Sequence, residues 1–359
     1  MKKTVLRLMA LALIFASCQD DSNITADEQS KIDMSDFYVY TEADSDESGR
    51  MAENPGSKSC YSMVNLNRLL KENPGLEKKM YDIEYSTRSV LLKNNFKPGN
   101  GNGGGNGGGN GGGGGGGGGG EPTVTGVVNI PVYVHVVYSN SQQNISEQQI
   151  NSQITVLNDD FRRTNNDANQ TPSEFAGVAA DSEIEFTLAG TYRYSDSRSS
   201  WGTNDAVKSA YPPISPGTHM NIWVCNIGGG ILGYAQFPGG PSNTDGIVVS
   251  PQYFGTTGYV SAPFDEGRTA THEVGHYLNL RHIWGDGRCK RDDFVSDTPS
   301  SDRPNYGCPG SAYHCRSNDQ FMNYMDYTYD ACMNMFSEGQ KARMRAIFEP
   351  GGPRDAMYQ

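Results

Sequence analysis

Positive charge in excess is missing from this chain: 29 basic side chains against 41 acidic ones leave its 359 residues a formal net charge of -12. A phosphate backbone requires a basic face, so the balance excludes a nucleic-acid partner. A membrane-spanning run is missing as well. The apolar stretch Leu6–Ala16, behind Lys2 and Lys3, is too short to cross a hydrocarbon core of about 30 Å as a helix, and reads as an export signal. Side chains run out between Lys97 and Gly120, where the chain is almost pure Gly and Asn. Such a segment cannot bury a core; it is a flexible linker exposed to proteolysis. Acidic residues concentrate early, with 11 acidic and 3 basic side chains over 19–60, which reads as a solvated, disordered leader.

What is present centres on THEVGHYLNLRH, Thr271–His282. His272 and His276 stand four apart, so on a helix they share a face and can touch one metal ion. Glu273 rotates toward the same mouth, where a carboxylate accepts a proton from an attacking water. A continuing helix would carry His282 about 15 Å from His272, too far for ligands that all sit about 2.0 Å from one zinc. The chain must therefore turn back, and Asn279 tolerates the left-handed conformation such a turn needs. Three imidazoles with a fourth position left for water describe an open, catalytic zinc site.

Other segments read as structure. Residues 57–92 carry apolar side chains at helical spacing, broken at Pro74 and Gly75. Cys60 lies just before the apolar-periodic run that begins at Ser62; a thiolate there is able to ligate zinc in place of the catalytic water. Val124–Tyr138 reads as an opening strand in which His135 is a packed residue. Ser146–Phe161 reads as a capped helix with Ile150, Ile154 and Leu157 on one face. Glu183–Leu188, Met220–Asn226 and Gly246–Ser250 read as strands, with Cys225 a buried thiol in the second. Gly228–Gly240 reads as an edge strand between glycine turns, and Ser337–Phe348 as a final helix. After His282 come Cys289, Cys308, Cys315 and Cys332. An even set in an exported chain implies two disulfides, with three pairings open, and the lack of a Cys-x-x-Cys pair disfavours zinc binding by these thiols.

HEVGHYLNLRH followed by NYMDYTYDACMNMF resembles the metzincin clan of zinc endopeptidases and, within it, the pappalysin family in its bacterial, ulilysin-like branch. Glycine usually stands at the position of Asn279, although bacterial members resemble this chain in accepting Asn. The resemblance covers roughly 124–348. It implies an α/β (α+β) fold with an N-terminal twisted mixed sheet, the zinc helix, and a loop-rich C-terminal subdomain holding a Met-turn at Met325 and a final helix. It implies that the edge strand borders the cleft, where an extended peptide adds to it as a strand. It implies that Tyr327 hydrogen-bonds the oxyanion, and that Asp330 selects arginine after the cut bond through a charge-assisted pair. It pairs Cys289 with Cys315 and Cys308 with Cys332. It also turns RDDFVSDTP, by spacing alone a solvated acidic turn, into a calcium site of Asp293, Val295 and Thr298. Cys60 becomes the candidate latency switch of a pro-segment that inhibits its own enzyme.

The expected organisation is a signal peptide over 1–18, an acidic leader and helical pro-segment over 19–96, the linker over 97–121, and a catalytic domain over 122–359. Phe15–Cys18 resembles a lipobox, making Cys18 the lipidation site, and the acidic residues after it resemble a surface-export tether. The expected product is a monomeric zinc endopeptidase made as a zymogen. It is a lipoprotein of the outer membrane facing the cell surface, or secreted after processing, and it meets membrane only through its anchor. Two rivals stand beside it: a surface binding lipoprotein with a structural metal, and a zinc hydrolase of a non-protein substrate.

Overall fold

A mixed five-stranded sheet in the order β2–β1–β3–β5–β4 forms the body. Strands β1 (Val128–Tyr138), β2 (Ile184–Ser195), β3 (Met220–Val224) and β5 (Ile247–Val249) run parallel, and β4 (Gly233–Ala235) runs antiparallel to β5 at one edge. In this computed structural model the described residues are 32–41, 60–94, 96 and 124–358. The signal peptide with Cys18, the rest of the acidic leader and the Gly/Asn linker lie outside them. Residues 1–33 fall in a separate unit, and everything below concerns 34–358.

Strands β3 and β5 are buried throughout, as expected of parallel strands covered on both faces. On one face lies the helix Glu147–Phe161 (α3 in chain order, after α1 and α2 below). It is capped by Ser146, whose hydroxyl accepts from the Gln149 N–H, and it buries Ile150, Ile154, Leu157 and Phe161. The other face is closed by Trp201, Val207, Trp223 and Tyr234. Cys225 sits in that layer, where burial pushes its thiol up, as an inert thiol would be. His135 is buried too, bonded to Asn221 and stacked on Trp223. Strand β2 runs seven residues beyond the expected end at Leu188, because β1 continues to pair with it as far as Tyr138, past a one-residue bulge at Ala189.

Before the linker, helices α1 (Ser62–Glu72) and α2 (Leu76–Lys93) break where Gly75 takes a φ of +96°. They lie against the body. Met63, Leu66, Leu69, Leu76 and Met80 share a cluster with Phe237, just beyond β4. One expectation fails here: residues 36–39 of the acidic leader are packed, not solvated. Val39 is buried in the same cluster, and the Tyr38 ring lies against Arg281 and Arg291 while its hydroxyl donates to the carbonyls of Gly285 and Asp292. The leader's charge masked the short apolar run Phe37–Val39, with enough apolar surface to dock.

The seam between helices and body closes on an ion network. Glu84 of α2 accepts from Arg343 of the final helix (α5, Glu338–Ala346) at 2.8 and 3.1 Å and from Arg88 at 2.7 Å, and Arg88 reaches Asp36 at 2.6 Å. Burial alone would raise the Glu84 pKa, but Arg343 and Arg88 outweigh it and hold it at about 2. The folded value lies below the ordinary one, so the stabilisation is complete above about pH 4.5 and is lost as pH falls toward 2. Glu84→Gln should therefore lower stability by about 3 kcal/mol at neutral pH. Denaturant unfolding of both chains across pH should show the gap closing below pH 3; a constant gap would contradict the assignment.

Candidate active site

Helix α4 (Arg268–Tyr277) carries the first two histidines and ends where sequence spacing requires. Its entry residue Gly267 offers no side-chain cap; Asp330 supplies one from afar, its Oδ2 accepting the N–H groups of Glu266 and Arg268. At the exit, Asn279 takes a φ of +76°, and the Leu280 N–H returns to the Gly275 carbonyl at 2.9 Å. That reversal brings His282 back. The Nε2 atoms of His272 and His282 then lie 3.2 and 3.1 Å from Nε2 of His276. Ligands about 2.05 Å from one tetrahedral zinc stand about 3.3 Å apart, so the spacing fits the ion.

The tautomers follow from the outer partners. Nδ1 of His272 faces the Tyr324 carbonyl at 2.7 Å, that of His276 faces the Leu280 carbonyl at 2.8 Å, and that of His282 faces the Asp286 carboxylate. Carbonyls and carboxylates only accept, so each Nδ1 carries its proton and each Nε2 turns a lone pair inward. Such a donor set fits a divalent cation. Met325 lies beneath: a Cβ at Gly275 would stand 2.3 Å from its sulfur, so any side chain there would force the buried Met325 to move.

Cys60 completes the cluster. Its sulfur and one nitrogen from each of the three histidines all lie within 4.8 Å of one another, and all four residues are buried. The Cys60 sulfur is 3.4 Å from Glu273 Oε2, and the neighbouring Ser62 hydroxyl donates to the same oxygen at 2.7 Å. Ser62 accepts in turn from the Ala235 N–H of β4 at 2.7 Å, while Tyr61 N–H donates to the Gly233 carbonyl at 3.1 Å. Cys60 pairs parallel to Gly233, and the Tyr327 hydroxyl donates to the Cys60 carbonyl at 3.3 Å.

The remaining candidates lie apart from this centre. Thr298 Oγ1 is 2.8 Å from Asp293 Oδ1 and 2.9 Å from the Val295 carbonyl, and burial raises the Asp293 pKa well above the ordinary carboxylate value. Cys289 is bonded to Cys315 and Cys308 to Cys332. Sequence reasoning missed Asp286, whose only signal is an acid four residues after His282. It also missed Ser62, which had none beyond its nearness to Cys60.

Comparison with known proteins gives this geometry a family. The model of the M43 peptidases, described as pregnancy-associated plasma protein-A, matches residues 213–349. An extracellular metalloprotease of Arthroderma otae is 34% identical over 239 residues, 63% of this chain and 80% of its own length. One from Coccidioides posadasii is 34% identical over 236 residues, 62% of this chain and 77% of its own. The chain belongs to the M43 peptidase family. Among solved structures, mature mirolysin of Tannerella forsythia with a cleaved peptide is 48% identical, with a TM-score of 0.64 over 66% of this chain and 97% of that one. A promirolysin mutant from the same organism is 40% identical, with a TM-score of 0.70 over 84% of this chain and 97% of that one.

The fold is thus that of a metzincin, and the chain is a metalloendopeptidase whose histidine cluster fits zinc. The longer match to promirolysin than to its mature form marks the chain as carrying a zymogen's fold. Asp286→Ala should weaken zinc retention about ten- to hundredfold by loosening the His282 ring. Competition with a chelator measures it, and an unchanged affinity would remove Asp286 from the metal's support.

Proposed function

We propose that this M43 peptidase is an exported zymogen in which His272, His276 and His282 hold one zinc ion and Glu273 serves as the general base. Bound there, zinc supplies a Lewis acid that polarises the peptide carbonyl and lowers the pKa of water toward about 7. Glu273 takes the proton of the attacking water and passes it to the leaving amine. Tyr327 donates a hydrogen bond to the developing oxyanion; its hydroxyl already donates to the carbonyl of Cys60. The substrate adds as a strand beside β4, where 60–62 now lies.

Latency rests on Cys60, whose sulfur shares the histidine cluster and takes the position that water needs. This is the observation that carries the reading, because a residue before the linker has no structural reason to sit buried among three metal-facing imidazoles. Cleavage in the linker over 97–121 would release it. The pro-segment is on this reading the enzyme's own inhibitor.

Finer features complete the proposal. Asp330 lines the pocket for arginine after the cut bond, its carboxylate fixed by two backbone N–H groups so that its charge stays in place. Asp293, the Val295 carbonyl and Thr298 offer three converging oxygens for calcium. Export is supported by relatives named extracellular metalloproteases, and Cys18 would anchor the chain by lipid until processing.

Two substitutions test the reading. Glu273→Ala should keep a full equivalent of zinc and lose peptide cleavage by at least about a thousandfold; undiminished turnover would defeat the mechanism. Cys60→Ala should render the uncleaved chain active on a peptide without proteolysis of its linker, whereas a variant as silent as its parent would move latency elsewhere.

A further inference from the structure

Two guanidiniums of the catalytic body are buried against its pro-segment. Arg343 makes its only ion pair among the described residues with Glu84, through Nη1 at 3.1 Å and Nη2 at 2.8 Å, and its Nε has no partner. Arg281 has no ion pair among the described residues. Its Nη2 donates to the Tyr38 carbonyl at 2.6 Å, and its Nη1 has no partner. Both stand near the Phe294 ring, the Arg281 guanidinium 5.0 Å and the Arg343 guanidinium 5.6 Å from its centroid. Asp292 and Asp293 of the body lie near enough to feel Arg343, but neither pairs with it.

What covers these cations belongs to the segments before the linker: Glu84, Phe37 and Met80 close the hollow from one side, and Phe237 and Asn279 from the other. The Phe237 ring lies 5.2 Å from that of His276, so the hollow adjoins the metal cluster. When the pro-segment leaves, two desolvated guanidiniums and one aromatic ring are uncovered, and both the carboxylate that paired Arg343 and the Tyr38 carbonyl that met Arg281 are gone. A guanidinium fork in apolar surroundings is a strong receptor for carboxylate, and a second cation beside the same aromatic ring adds to the attraction.

We propose that Arg343 and Arg281 form a carboxylate-binding subsite of the mature enzyme, which Glu84 plugs in the zymogen and an acidic side chain of an extended protein substrate occupies afterwards. The inference rests on the reading that the pro-segment is released on activation. It differs from the Asp330 pocket in sign: one subsite takes a cation, the other an anion.

The test uses the full chain activated by cleavage in its linker. C-terminally amidated peptides are supplied in triplets differing only by Glu, Gln or Lys at one position, moved along the peptide. The expected result is one position at which Glu lowers KM about tenfold relative to Gln, equivalent to about 1.4 kcal/mol, with Lys worse than both. The preference should shrink as salt rises, and the Glu/Gln ratio should fall to about one in Arg343→Gln. Should that variant fail to fold, Arg281→Gln is read with the same triplets. Absence of a Glu preference at every position would overturn the proposal, as would a preference that survives both substitutions. Turnover of the Gln peptides by the activated enzyme checks the peptidase reading separately, and an absent Glu preference leaves that reading standing.

Discussion

Three imidazole lone pairs aimed at one point are the constraint on which the rest of the body depends. With each Nδ1 proton committed outward, the Nε2 atoms face one another about 3 Å apart with no proton between them, an arrangement that repels unless a cation fills it. Keeping it assembled takes supports from distant parts of the chain. Asp330 caps the start of α4, Asn279 reverses its end, Met325 fills the space that Gly275 leaves, and Asp286 fixes the third ring. Each is ordinary alone; together they remove the freedom of three side chains in advance, so that metal binding does not have to order them.

A further tie joins the zinc helix, the turn beneath it and α3. Asp160 of α3 accepts from the Thr271 hydroxyl at 2.8 Å and from the Tyr324 hydroxyl at 2.7 Å, while the Tyr324 carbonyl holds His272. One buried carboxylate therefore sets the relative height of two elements that flank the metal. Arg268 stands near it and pairs bidentately with Asp167, which also anchors the entry of α4. Polar groups so deep in the core are tolerated because each member of the network has a partner.

The legible part of the site was the part written locally. HExxH, the third histidine and Asn279 lie within twelve residues, so helix periodicity and the reach of a ligand bond are enough to assemble them. The capping serine of α3 and the apolar strands were visible for the same reason. What escaped is set by pairing across the chain. Glu84 and Arg343 are 259 residues apart, and nothing in either neighbourhood announces the other. The leader was misread because charge was averaged over a window in which Phe37, Tyr38 and Val39 are a minority, though they carry its docking. The disulfide pairing needed the family resemblance, since spacing left three alternatives and only the fold brings Cys289 to Cys315.

On the proposed reading, the zymogen holds its own chain in the cleft without destroying it, and the geometry accounts for this in three steps. Residues 60–62 run parallel to β4 rather than antiparallel, so the backbone presents its carbonyls and amides in a different register from a strand of the opposite sense. The Cys60 sulfur occupies the space among the three imidazoles where an attacking water would stand. Ser62, bridging the Ala235 N–H and Glu273, keeps the base hydrogen-bonded to a hydroxyl that is not a substrate. A carbonyl held by Tyr327 with neither nucleophile nor available base is bound as a substrate would be but has no route to reaction. Latency of this kind uses the catalytic groups themselves as the binding site, so the contacts that silence the enzyme are lost together once the linker is cut and the segment departs.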